Sequence, residues 1–137
     1  MLLAIIFTMR QLRQADRGKD FSSLLVLFEG VHGSEAYDVR KRVTALAGRP
    51  LSGLTAVEQN DARVTTDFFQ RTGFLVRHKF VRKSTALDLY SGLIIEMWGY
   101  LETFVVDTRV AKSLQNYAQE FEWLKNEAIR FRQKRYS

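Results

Sequence analysis

The sequence predicts an all-α protein, an antiparallel bundle of about five helices with a long N-terminal helix and no substantial sheet. Apolar residues recur at three- and four-residue spacing through most of the chain, which is the period of an amphipathic helix. Serine or threonine stands where several of these runs begin, and glycine stands where several end. With 137 residues and a single proline, the chain can form one packed core and holds few helix breakers.

Two helices are predicted before Gly48. Helical spacing of apolar residues from residue 2 to residue 28 predicts the long first helix. This helix is expected to end at Gly30 and Gly33, because glycine eases the helix exit. Ser34 is the expected N-cap of the second helix, since its hydroxyl can accept a hydrogen bond from a first-turn backbone N–H. Gly48 then ends the second helix and precedes a loop that holds the proline.

The third helix carries the clearest start signal. Thr55 followed by Glu58 predicts a capping box, in which each side chain accepts a hydrogen bond from the backbone N–H of the other residue. Gly73 is the residue expected just after the helix end. Residues 72–83 then form either an irregular connection, which we favour, or two very short strands.

Two further helices complete the predicted bundle. Ser84 is the expected N-cap of the fourth helix, whose apolar stripe is wide enough to contact neighbours on more than one side, so this helix should form the centre of the core. The last helix is predicted to begin between Asp107 and Ser113. Its apolar residues at helical spacing are Leu114, Tyr117, Phe121, Leu124 and Ala128.

Residues 1–9 form an apolar segment in which only Thr8 is polar. Four basic residues follow within the next ten positions: Arg10, Arg13, Arg17 and Lys19. As a helix the nine residues rise only about 13 to 14 Å, less than half of a hydrocarbon core, so this segment alone cannot span a bilayer. In a secretory signal peptide the basic residues precede the apolar run, whereas here they follow it. This order argues against a secretory signal peptide.

Three interpretations of this apolar segment stay open. It can be the remnant of a membrane anchor, in which case the basic residues after it place the domain at the cytoplasmic face of the inner membrane. It can be an interfacial segment held on anionic lipid. It can also be a helix end that packs on the core or in a homo-oligomer. We expect the first arrangement, with the anchor remnant at residues 1–9 and a single helical domain at residues 10–137.

Charge and composition restrict the function further. Lys and Arg number 21 against 15 Asp and Glu, and the resulting net charge of +6 favours an anionic partner. The chain has no cysteine, which excludes disulfides and thiolate metal sites. His32 and His78 lie far apart and match no metal-ligand spacing. We therefore expect no catalytic residue, no metal and no cofactor, and a protein that is not an enzyme.

Two candidate binding sites are predicted instead. Four cations in one short stretch are candidate anion ligands: Arg77, Lys79, Arg82 and Lys83. In a nucleic-acid-binding alternative, residues 72–83 form a basic wing-like hairpin that contacts phosphates. Four residues of the fourth helix are candidates to line a pocket: Tyr90, Glu96, Trp98 and Tyr100. Glu96 is expected either to pair with Arg63 or Arg71 or to be exposed.

Three segments, residues 10–43, 67–101 and 117–128, give the chain a resemblance to a known family. It resembles a family of uncharacterised bacterial proteins with a short N-terminal membrane helix and a small cytoplasmic helical domain. The matching positions are mainly apolar and aromatic: Phe68, Phe69, Leu87, Leu89, Trp98, Phe121, Glu122, Trp123 and Leu124. The membrane helix of that family is longer than residues 1–9. The resemblance implies a fold and a location, and it implies no substrate.

These observations favour a non-enzymatic, membrane-associated accessory or scaffold module that acts through protein–protein contacts. Its partner would be a membrane or a membrane-protein complex bound through the N-terminal helix, and a homo-oligomer stays open. A nucleic-acid-binding regulator is the second choice, because the third helix carries Glu58, Asp61 and Asp67 against Arg63. An enzyme or small-ligand sensor built on the candidate pocket ranks last.

Overall fold

The computed structural model describes residues 29–136, and this part of the chain is all-α, which confirms the predicted fold class. No strand occurs between residues 29 and 136. Residues 1–28 lie outside the described residues, and with them the apolar segment 1–9, nearly all of the predicted first helix and the basic residues Arg10, Arg13, Arg17 and Lys19. The α-helices are α1 (Ser34–Val43), α2 (Ala56–Arg77), α3 (Lys83–Ala111) and α4 (Gln119–Tyr136), with short 3₁₀ helices at Thr44–Leu46 and Leu51–Gly53.

Helix α1 begins one residue before the position that the sequence suggests. Gly33 is the N-cap, no side-chain cap is present, and Ser34 is already helical, so the prediction of Ser34 as the cap is wrong. The backbone explains the difference: the Gly33 N–H donates to Glu29 O at 2.8 Å while Gly33 O accepts from the Tyr37 N–H at 2.9 Å. Gly33 therefore ends one helical run and starts the next.

Helix α2 starts as predicted and ends later. The capping box is confirmed, with Glu58 N donating to Thr55 Oγ1 at 3.1 Å and Thr55 N donating to Glu58 Oε1 at 3.0 Å. The helix continues through Gly73 to Arg77, so the predicted end at Gly73 is wrong. Of the two predictions for residues 72–83, the short strands and the hairpin are wrong. The irregular connection is correct only for residues 78–82, because residues 72–77 form the last turns of α2 and Lys83 begins α3.

Gly73 is a glycine because another helix passes against it. A Cβ at this position would overlap the carbonyl group of Glu120, at the start of α4. Nearby, the side-chain oxygen of Gln70 accepts hydrogen bonds from the backbone N–H groups of Glu120, at 2.9 Å, and Phe121, at 3.1 Å. Helix α2 therefore supplies both the space and the cap for the N-terminus of α4.

The boundary between α3 and α4 also differs from the prediction. Arg82 is the N-cap of α3, so the predicted cap at Ser84 is wrong, and α3 runs on to Ala111. The last helix begins at Gln119, six residues after Ser113, so the predicted start between Asp107 and Ser113 is wrong. The chain turns because Ser113 adopts a positive φ of 53°, with the Leu114 N–H donating to Arg109 O at 3.0 Å. This is the hydrogen bond of a Schellman motif, formed without glycine.

Helix α4 packs against α2 and α3 around one aromatic residue. The ring of Phe121 is fully buried, stacks on Phe69 with centroids 5.0 Å apart, and meets the edge of Trp98 at 5.0 Å. Arg135 pairs with Asp88 near the start of α3, whereas Glu122 pairs with Arg109 near its end. Helices α3 and α4 therefore run in opposite directions.

The capping box predicts an acid-sensitive fold. The Arg49 guanidinium, together with the Thr55 backbone, lowers the pKa of Glu58 from 4.5 to about 2. A carboxyl whose folded-state pKa lies below its unfolded value stabilises the fold above the unfolded value, and this contribution is lost as the pH falls through the folded value. We expect the urea midpoint to fall between pH 4.5 and pH 2, and Glu58→Gln to lose part of that dependence. An unchanged pH profile in Glu58→Gln would contradict this assignment.

Candidate anion-binding site

The end of α2 brings the four predicted anion ligands together. Helix α2 closes with a Schellman motif, in which the Phe80 N–H donates to Leu75 O at 2.9 Å and the Lys79 N–H donates to Val76 O at 3.1 Å. Val81 is buried in the core and fixes the connection to α3. The result is one pocket of about 580 Å³, here called the basic pocket, lined by Arg77, Lys79, Arg82 and Lys83 with Val76, Val81, Ser84 and Trp123.

Trp123 forms one wall of the basic pocket. It lies on the first turns of α4 and is half-buried. The guanidinium of Arg77 sits over its ring at 5.5 Å from the centroid, a cation–π distance. Arg77 also pairs with Glu120 at 3.3 Å. Trp123 therefore gives the pocket an aromatic wall, and Arg77 places a positive charge beside it.

The cations of the basic pocket differ in their partners. Lys83 pairs with Glu127 at 3.6 Å, as Arg77 pairs with Glu120. Lys79 is exposed and forms no ion pair within residues 29–136. Its backbone has a positive φ of 65°, which is the left-handed region that a lysine adopts at a cost. An ammonium group without a carboxylate partner is the natural first contact for an incoming anion.

The N-terminus of α3 adds to the positive potential of the basic pocket. This helix has 29 residues, no acidic residue in its first turn and no side-chain cap on its free N–H groups. The partial positive charge of a helix N-terminus favours anions, and its unpaired N–H groups can donate to phosphate oxygens. Lys83 and Ser84 belong both to this first turn and to the pocket lining. The basic pocket can therefore hold a phosphate or carboxylate group.

A second pocket, of about 460 Å³, also has Trp123 in its lining. We call it the amide pocket, because four carboxamide side chains line it together with Arg77, Arg109, Glu122 and Trp123: Gln115, Asn116, Gln119 and Asn126. Arg109 donates to Tyr117 O at 2.8 Å and pairs with Glu122 at 2.8 Å. Arg77 and Trp123 belong to both pockets, so the two are neighbours. Sequence reasoning did not identify Trp123 or the amides as site residues.

The candidate pocket on α3 is not assembled. Tyr90 and Trp98 are buried, Tyr90 beside the His32 ring at 6.0 Å and Trp98 in the aromatic core. Glu96 and Tyr100 lie on the outer side, where the Tyr100 hydroxyl donates to Glu96 at 3.1 Å and this bond raises the Tyr100 pKa. Glu96 is exposed, which was one of the two predictions for this residue, the other being an ion pair with Arg63 or Arg71.

His78 and His32 have structural contacts in the fold. His78 is the C-cap of α2, and its ring lies at a tilt of 37° against Phe74 with the centroids 4.3 Å apart. Between residues 29 and 136 no group of three or more His, Asp or Glu side chains is placed to hold a metal ion.

In the same part of the chain, no helix is long and apolar enough to cross a membrane.

No protein-family model, curated protein or solved structure matches the chain. The resemblance to the bacterial membrane-helix family therefore stays a prediction.

Proposed function

We propose that the protein is a non-enzymatic helical module that associates with an anionic membrane surface and serves there as an accessory or scaffold subunit. One observation carries this proposal: four cations and a half-buried tryptophan converge on the basic pocket. Lysine and arginine near an anionic bilayer surface contribute about 1 kcal/mol each, and tryptophan prefers the depth of the lipid headgroups. Both preferences are satisfied by the same face of this molecule.

Residues 1–9 and the basic residues after them give the proposal a second attachment point. Stable membrane binding requires two signals, such as one apolar insertion and one polybasic patch. The N-terminal segment offers nine consecutive residues with a single polar side chain, and the basic pocket offers the patch. Two attachment points on one domain would also fix its orientation, which a scaffold subunit needs. We assign the site to the cytoplasmic face of the inner membrane on the order of apolar and basic residues.

An exposed apolar stripe supports the contact role of the module. Val106 and Val110 lie four residues apart near the end of α3, Leu114 follows in the turn after this helix, and all three are exposed. Residues four apart lie on one side of a helix, so Val106 and Val110 form a continuous apolar strip. The stripe lies at the end of α3 opposite to Lys83, the residue that begins the helix in the basic pocket. A partner bound there would leave the basic pocket accessible.

Charge reversal within the basic pocket tests the membrane proposal. The full-length double variant Lys79→Glu/Arg82→Glu should bind phosphatidylglycerol-containing vesicles about tenfold or more weakly than the wild type in co-sedimentation, because two attractive charges become repulsive. A matched control, Lys41→Glu/Lys112→Glu, changes the net charge equally at exposed positions outside the pocket. Equal losses in the two double variants, or equal wild-type binding to neutral vesicles, would refute the proposal.

Duplex DNA in the same experiment tests the nucleic-acid alternative. The wing-like hairpin of that alternative is not formed, because residues 72–77 are helical. The four cations that could contact phosphates still line one pocket. A DNA mobility shift at low salt that disappears in Lys79→Glu/Arg82→Glu, with no binding to vesicles, would assign the basic pocket to nucleic acid. We expect vesicle binding and no shift of duplex DNA.

The strained backbone of Lys79 allows stability and binding to be separated. Lys79→Gly should raise the free energy of unfolding by about 1 kcal/mol, because glycine adopts a positive φ without cost, and it should weaken vesicle binding. Ser113→Gly is the matched control, since Ser113 occupies the same position of the Schellman motif that ends α3. It should gain similar stability in urea unfolding and keep full vesicle binding. Unchanged binding in Lys79→Gly would show that the Lys79 ammonium has no role at the surface.

A further inference from the structure

We infer that the amide pocket and the basic pocket together recognise a lipid headgroup in which a phosphodiester carries a polyol, such as the glycerol of phosphatidylglycerol. In this arrangement the phosphate lies on the basic pocket and the hydroxyl groups lie in the amide pocket. The inference rests on the proposed membrane association, and it adds a selectivity that charge alone does not provide.

The two pockets share two lining side chains. Trp123 and Arg77 line both of them, so a ligand that contacts Trp123 lies close to the cations of one pocket and to the carboxamides of the other. The distance needed is short, because a phosphodiester and the hydroxyls of its alcohol are separated by only a few bonds. One pocket holds four cations, and the other holds four carboxamides beside charged groups that are already paired. This juxtaposition matches a ligand that has a charged phosphate next to neutral hydroxyl groups.

The amide pocket has unused hydrogen-bonding capacity. Each carboxamide offers two N–H donors and a carbonyl acceptor, and a hydroxyl group needs both kinds of partner. Within residues 29–136, the side chains of Gln115, Asn116, Gln119 and Asn126 form no hydrogen bond to another protein group. A polyol can therefore be bound without breaking any hydrogen bond that these four side chains form within residues 29–136.

The charges around the amide pocket disfavour a cationic headgroup. An ammonium group, as in phosphatidylserine or phosphatidylethanolamine, requires a carboxylate or an open aromatic face. Glu122 is already paired with Arg109 at 2.8 Å, and Glu120 is paired with Arg77 at 3.3 Å. Arg77 also covers the ring of Trp123. Neutral hydroxyls are the groups that this pocket can accept without competition from its own ion pairs.

Vesicles of equal surface charge test this selectivity. Full-length protein is titrated with phosphatidylcholine vesicles that contain the same fraction of either phosphatidylglycerol or phosphatidylserine, whose headgroups carry the same net charge. We expect about tenfold tighter binding to phosphatidylglycerol, which corresponds to about 1.4 kcal/mol. The variant Asn116→Leu/Gln119→Met/Asn126→Leu should bind both vesicles equally, at the wild-type level for phosphatidylserine. Gln133→Met, on an exposed part of α4 outside the pocket, should keep the preference.

The outcomes separate this inference from the proposed function. Equal binding of the wild type to the two anionic vesicles overturns the headgroup selectivity and leaves the membrane association intact. Absence of binding to both vesicles overturns the membrane association itself. If the triple variant fails to fold, Asn126→Ala replaces it, because alanine is favourable at this helical position of α4. A full tenfold preference retained in Asn126→Ala, together with an unchanged preference in Asn116→Leu, would also overturn the inference.

Discussion

Replacing Phe121 by alanine should lower the free energy of unfolding by about 3 to 5 kcal/mol, the range for truncating a buried aromatic side chain. Phe121 is fully buried and contacts a ring from each of the two other long helices, Phe69 of α2 and Trp98 of α3. Its removal opens a cavity where three helices meet. The two ring contacts are lost together with the burial of the side chain.

Urea unfolding of Phe121→Ala against Phe74→Ala measures this effect. Phe74 is the same residue type on α2, but it is 47% exposed and its ring contacts His78 at the surface. We expect Phe74→Ala to cost less than about 1 kcal/mol, as surface substitutions do. Similar losses in the two variants would show that the three-helix contact at Phe121 is not the centre of the fold.

Gly73→Ala should lower the free energy of unfolding by about 1 to 3 kcal/mol, the cost of adding volume to a closely packed contact. The added methyl group would meet the backbone carbonyl of Glu120, and a backbone group cannot move away as a flexible side chain can. Alanine is the better helix former by about 1 kcal/mol, so the measured loss is what remains after this gain.

Gly99→Ala is the matched control for the close approach at Gly73. Gly99 lies within α3 and is exposed, and apart from its chain neighbours and the nearby backbone of its own helix no atom lies within 4 Å of the position that a Cβ would take. Here only the helix propensity changes, and stability should rise by about 0.5 to 1 kcal/mol. Opposite signs at the two glycines in thermal or urea unfolding support the contact between α2 and α4. A gain at both positions would contradict it.

The fold class and one helix start could be predicted because their signals are local. The capping box of Thr55 and Glu58 lies within four residues, and the structure forms it as predicted. The role of Gly73 could not be predicted, because a glycine at a helix end and a glycine at a helix crossing look alike in one sequence. The end of α3 could not be predicted either, since Ser113 and Ala118 adopt positive φ values where no glycine or proline marks a turn.

The candidate site also contains some residues that could be predicted from the sequence and others that could not. Arg77, Lys79, Arg82 and Lys83 could be predicted as a group because they are close in sequence and remain close after a single turn. Trp123 joins them only through the packing of α4 on α2, more than 40 residues away along the chain. The pocket expected from Tyr90, Glu96, Trp98 and Tyr100 fails because two of these residues face the core and two face outward.

Quenching of tryptophan fluorescence by acrylamide tests most directly that the face around Trp123 binds the anionic surface. The two tryptophans, Trp98 and Trp123, differ in burial, since Trp98 is only 7% exposed and Trp123 is more accessible. Acrylamide should quench Trp123 in the free protein and lose access to it on phosphatidylglycerol vesicles, while Trp123→Phe should show no such protection. Protein that sediments with the vesicles while Trp123 stays as accessible as in solution would contradict the account.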